Sequence, residues 1–190
     1  MMNNVWAKTI LTAHRYLERI CDAIDRMVEA NAMNSFYVTG TTFMESSVMV
    51  VANKLIELGE RKKTLINLKV LVEEALARCG EESSDLLIEK YMEQGKAKEI
   101  AEKHNYTMRT YFRRLAAAEG QLMEKVALLG YNERRLQEML KGEKWILDIY
   151  CQLSESEGGE VKLSPHIIKK IASSKNEKAE ECVKSEAKRS

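Results

Sequence analysis

Arginine and lysine concentrate in one stretch of this chain. Between residues 96 and 114 stand Lys96, Lys98, Lys103, Arg109, Arg113 and Arg114, against only Glu99 and Glu102. The whole chain carries a formal charge of just +1, so the remainder is slightly acidic. A local basic surplus on such a background is the footprint of an anion-binding face. The residue types narrow the chemistry. Arginine presents a planar fork that pairs bidentately with guanine O6 and N7, whereas lysine meets phosphate as a point charge. Thr107 stands where a helix starting at Met108 needs an N-cap, which would turn the first side chains of that helix outward together. On that helix Met108, Arg109, Phe112 and Arg113 face out, with Thr110 and Arg114 at the margins. Lys96, Lys98 and Lys103 lie on or beside a supporting helix, within reach of phosphates. These ten residues, Thr107 included, are the candidate contacts to double-stranded DNA.

No competing chemistry accompanies them. The sequence holds no nucleophile elbow, phosphate-cradling glycine loop or carboxylate cluster, and its histidines and cysteines lack zinc spacing, so no enzyme, cofactor or metal is expected. His104 beside the turn reads as a turn-capping or exposed residue, His14 as a core-edge residue, and His166 has no assigned role. Cys21, Cys79, Cys151 and Cys182 form no close pair, which reads as reduced thiols in a cytoplasmic protein. The opening residues show no targeting pattern and no segment approaches a membrane span, so no membrane partner is expected.

The elements that must position the basic stretch read as helices throughout. A single proline, Pro165, among long Ala/Leu/Glu/Lys/Arg runs favours helix over strand. From Val5 to Ala32, Ile10, His14, Leu17, Cys21, Ile24 and Val28 alternate in steps of four and three, one stripe of a helix. Residues 34–41 read as a loop. Thr42, with Glu45 three residues on, has capping-box spacing for a second long segment. Its stripe runs Met44, Val48, Val51, Leu55, Leu58, then Leu65, Leu68, Val72, Ala75 and Cys79, either kinked or broken at Gly59 and closed by Gly80 as a left-handed cap. Two such seams joined by a short loop predict an antiparallel, coiled-coil-like hairpin, or in part a dimer interface. Beyond it, Ser83 or Ser84 would cap a short helix over 85–93, and Lys96 to His104 forms a second. Asn105-Tyr106 turns the chain, and Thr107 opens a helix that closes at Gly130. Ile100, Tyr106, Tyr111 and Leu115 are spaced as the small core of this unit. Asn132 begins a further helix, followed by an aromatic-bearing stretch. Residues 154–190 read as a polar, partly disordered tail with one short helix near Pro165–Ile171.

Residues 86–122, LLIEKYMEQGKAKEIAEKHNYTMRTYFRRLAAAEGQL, resemble region four of bacterial sigma factors. More closely they resemble the sigma-like RinA/ArpU-type regulators of phages and integrated elements in Gram-positive bacteria. The matching positions are Ile88, Tyr91, Gly95, Glu99, Ile100, Ala101, Tyr106, Thr107, Arg109, Thr110, Tyr111 and Arg113. Lys90 stands where that pattern has arginine, and no aromatic follows Gly95. The resemblance implies a helix-turn-helix that reads DNA in transcription regulation of phage or mobile-element genes. The expected architecture is therefore all-α. A helical hairpin and dimerisation segment (1–80) precedes a helix-turn-helix DNA-binding domain (81–130), and a helical extension and flexible tail (131–190) follow. A homodimer through the long helices and a contact to RNA polymerase are the further partners considered. In the alternative reading the chain docks on polymerase or another regulator without reading DNA.

Overall fold

The computed structural model describes residues 4–37 and 44–155, with side chains over 4–33 and 48–155. The described residues contain no strand. In order they form α1 (Asn4–Tyr37), α2 (Met44–Ala77), α3 (Glu81–Leu87), a π-helical turn (Ile88–Met92), α4 (Ala97–Lys103), α5 (Met108–Leu128), α6 (Glu133–Leu140) and α7 (Lys144–Glu155). The fold is all-α. Thr42 and the tail helix near Pro165–Ile171 fall outside the described residues.

Two boundaries differ from the sequence reading, and the alternative it left open at Gly59 is decided. α1 continues to Tyr37, through the first half of the expected loop, because 34–37 holds no helix breaker and the first glycine is Gly40. α2 passes through Gly59 as one helix of 34 residues. Gly80 is no left-handed cap. With φ −65° and ψ 146° it is the extended N-cap of α3, which starts at Glu81 and not at Asp85. α2 ends instead by tightening, with Arg78 N–H donating to Ala75 O (3.2 Å) and Cys79 N–H to Leu76 O (3.0 Å). Those bonds satisfy the last carbonyls without a positive φ, and Ser83 and Ser84 are left without a capping role.

α1 and α2 run antiparallel. His14 pairs with Glu73 (3.3 Å), Glu18 with Lys69 (2.7 Å) and Asp25 with Lys62 (2.6 Å), one partner number falling as the other rises. Beneath this ladder Leu17, Ile20 and Ile24 pack with Leu65, Leu68 and Val72 in the buried core. The N-terminal half of α1 is more than one side of a pair. Trp6, Ala7, Ile10, Leu11, Ala13 and Tyr16 are all buried, because α2, α5, α7 and the π turn pack around it. An apolar surface spread round a helix is what central burial requires. Trp6 lies against Tyr150 of α7, ring centroids 4.6 Å apart.

One buried ionic unit locks the last two helices to α2. Arg61 donates from Nε (3.0 Å) and Nη2 (3.1 Å) to the two carboxylate oxygens of Glu143, which also accepts from Trp145 Nε1 (2.9 Å). Glu143 sits in the turn before α7, where its carbonyl accepts from Ile146 N–H (2.9 Å). Cys21 and Cys79 are free thiols. No helix among the described residues is long and apolar enough to cross a membrane.

Candidate nucleic-acid interface

The turn between α4 and α5 is built by local chemistry. Asn105 adopts φ 55°, a conformation asparagine tolerates better than most residues. Tyr106 N–H then donates to Ala101 O (2.8 Å) and Asn105 N–H to Glu102 O (3.1 Å). This double closure satisfies the end of α4 and reverses the chain at once. Two residues later Thr107 is the N-cap of α5, its side-chain oxygen accepting from Thr110 N–H at 3.2 Å. The other end of α5 closes the same way on Gly130 (φ 89°), with Gly130 N–H to Ala127 O (2.9 Å) and Tyr131 N–H to Val126 O (3.1 Å).

Packing fixes how α5 lies. Tyr111, Leu115, Ala118, Leu122, Met123 and Val126 turn inward, while Ile100 and Ala101 of α4 and Leu86 and Leu87 of α3 fill the other side of the same core. Tyr106 packs at the margin of this core. The approach to α4 is equally tight. Gly95 N–H donates to Glu89 O (2.8 Å), and a Cβ at Gly95 would stand 3.0 Å from Ile100 and 3.1 Å from that carbonyl.

The ten candidate contacts separate into three groups. Arg109 and Arg113 are exposed, one helical turn apart, and form no ion pair or side-chain hydrogen bond among the described residues. Met108 and Phe112 lie on the same face, 42% and 55% exposed. Lys96 and Lys98 are also exposed but pair with Glu99 (3.1 Å) and Glu102 (3.9 Å); pairs so open to solvent are worth about 0–1 kcal/mol and release easily. The third group is tied into the fold. Lys103 bonds Glu89, and Arg114 bonds Glu82 while lying 4.8 Å over the Tyr106 ring. Thr110 is half-buried and serves the Thr107 cap.

Two carboxylates that sequence reasoning missed hold this arrangement. The hydrogen bond from Tyr106, with the charge of Arg114, keeps the Glu82 carboxyl below the usual range. Burial alone would push Glu89 up, yet bonds with Lys103 and His104 hold it down. A third carboxylate, Glu119, is buried on α5 and accepts from Tyr91 Oη at 2.6 Å, with Lys8 Nζ 3.9 Å away. Its pKa is raised, burial outweighing those partners. No short-range pattern signals these contacts, since the hydrogen-bonded partners Lys103–Glu89, Tyr91–Glu119 and Arg114–Glu82 lie 14, 28 and 32 residues apart and Lys8 is farther still from Glu119.

No family model, curated protein or solved structure matches the chain. The surface must therefore be read from its own chemistry. Among the described residues no group of histidine, cysteine and carboxylate side chains is arranged to hold a metal ion. What α5 presents is a capped, well-seated helix start carrying two unneutralised arginines interleaved with two apolar side chains.

Proposed function

We propose that this chain is a sequence-specific DNA-binding transcription regulator that uses α4, its turn and α5 as a helix-turn-helix. The observation that carries the reading is the pair of exposed, unpaired arginines one turn apart on the first two turns of α5. A guanidinium already neutralised within the fold must be freed before it can bind an anion. Among the described residues Arg109 and Arg113 have no such partner. In this reading they meet guanine edges in the major groove, with Met108 and Phe112 against thymine methyls and Lys96 and Lys98 on phosphates. Arg114 and Lys103 act mainly as struts that hold the turn. The resemblance to sigma-like phage regulators supports the same assignment, with a non-enzymatic role in the cytoplasm.

Fluorescence anisotropy with duplex DNA over a salt titration tests it. Affinity should fall steeply with salt, each phosphate neutralised adding about 0.9 to the log–log slope. Arg109→Ala/Arg113→Ala should weaken binding to a selected site by about 2–6 kcal/mol, as two bidentate pairs of about 1–3 kcal/mol each would, while leaving the thermal melt unchanged. Binding as tight as the parent's would refute the assignment.

The exposure of Met108 and Phe112 favours a second reading, docking on RNA polymerase or another regulator. There the double arginine variant would keep its partner and Phe112→Ala would lose it.

A further inference from the structure

α2 carries a second apolar seam that the described residues leave uncovered. Leu58, Leu65, Leu68, Val72 and Ala75 lie in the core. About half-way round the same helix, Met49, Ile56, Lys63 and Val70 recur every seven residues, with Ala52, Gly59 and Ile66 three residues after the first three of them. That spacing is a helix-pairing seam. Met49, Ile56 and Val70 are 61%, 64% and 56% exposed, and Ile66 is exposed with them. A lone exposed apolar residue needs no explanation. Three apolar residues of one seven-residue row, with Lys63 between them and Ile66 beside them, along roughly 32 Å of one helix, form an association surface.

Gly59 adds an independent observation. It lies inside the helix, and a Cβ there would meet nothing within 4 Å. Nothing in the fold requires glycine, which weakens a helix interior relative to alanine. Its missing side chain leaves room there for another backbone to approach closely.

We infer that this seam binds a second copy of the chain, α2 against α2, antiparallel about a two-fold axis near Arg61. In that register Ile56 meets the partner's Ile66, Ala52 meets the partner's Val70, and Gly59 meets the partner's Lys63. Two of these layers set a small residue against a larger one. Charge chooses the direction. Lys63 and Glu60 are exposed neighbours, 3.6 Å apart within one chain, and the antiparallel register brings Lys63 beside the partner's Glu60. A parallel pair would stack Lys63 on the partner's Lys63, a like-charge contact that specific interfaces avoid. The inference stands apart from the DNA-binding proposal.

Sedimentation analysis of the full chain over a wide concentration range tests it, with circular dichroism to check folding. The parent should dimerise. Ile56→Glu/Ile66→Glu and Gly59→Leu should each raise the dimer Kd at least about tenfold with helix content unchanged, since these sites are exposed. Glu60→Lys should weaken the dimer, and Glu60→Lys/Lys63→Glu should restore it. This charge pair keeps the test open if an apolar variant misfolds. A parent that is monomeric throughout, as when residues 156–190 of the same chain cover the seam, overturns the inference. So does a dimer indifferent to all four variants.

Discussion

Replacing Glu143 should cost this protein more than any surface change. Its carboxylate is buried, pairs with both Arg61 Nε and Nη2, and accepts from the Trp145 indole. Glu143→Ala removes three hydrogen bonds and takes the Glu143 charge away from the buried Arg61 guanidinium. Breaking a buried pair from one side costs about 3–5 kcal/mol, because the surviving charge stays desolvated. The orphaned indole N–H would add about 1–3 kcal/mol if independent. Both effects act through one carboxylate and are not additive, so a loss of about 4–5 kcal/mol is the expectation. Against a typical stability of about 5–15 kcal/mol, that leaves a marginal fold. Urea unfolding followed by circular dichroism measures it, with an unchanged m-value showing that the native state is the one perturbed. Arg61→Leu/Glu143→Leu should recover at least about 2 kcal/mol of the loss, since the uncompensated charge goes too. If Glu143→Ala costs less than about 1 kcal/mol, the pair does not hold α7 to α2 as argued.

Other expectations follow from single contacts. Thr107→Ala should destabilise by about 1 kcal/mol through loss of the α5 cap, read by thermal melting. Gly95→Ala should cost about 1–3 kcal/mol, because its Cβ presses on Ile100 and the Glu89 carbonyl. Gly120→Ala, mid-helix in α5 with nothing within 4 Å, should instead stabilise by about 0.5–1 kcal/mol. Glu119, whose folded pKa lies above its unfolded value, holds its proton more tightly in the native state. Its contribution is therefore most favourable below the unfolded pKa and declines as pH rises through the folded one. Glu119→Gln should remove that slope and gain stability relative to the parent at neutral pH, seen in paired urea titrations at pH 5 and 8.

What could be read in advance was local. The Thr107 cap, the turn at Asn105-Tyr106 and the Gly130 closure depend on residues within a few positions of one another, and their chemistry is plain in the sequence. So was the inward set Ile100, Tyr111 and Leu115, which follows from helical spacing. The stripe on α1 was only half of its story. Trp6, Leu11 and Tyr16 point elsewhere because α5 and α7 return to pack on them, and periodicity within one helix does not say how many neighbours it has. Gly80 misled because glycine suits both a helix end and a helix start. Glu82, Glu89 and Glu119 looked like solvated acids, and only tertiary folding brings Arg114, Lys103 and Tyr91 to them. Part of the basic surplus is accordingly paired within the chain, Lys103 with Glu89 and Arg114 with Glu82.

α1 also acts as a mechanical coupling. Its first half is embedded beside α5, and beyond Ile24, its last fully enclosed residue, about 20 Å of helix continues to Tyr37 at 1.5 Å per residue. A tilt of about 6° at the embedded end would carry the far end roughly 2 Å over that length. Anything that moves this end therefore has leverage on the angle of α5. A displacement at the far end of α1 is thereby also a displacement of the seat of α5, the helix that carries Arg109 and Arg113.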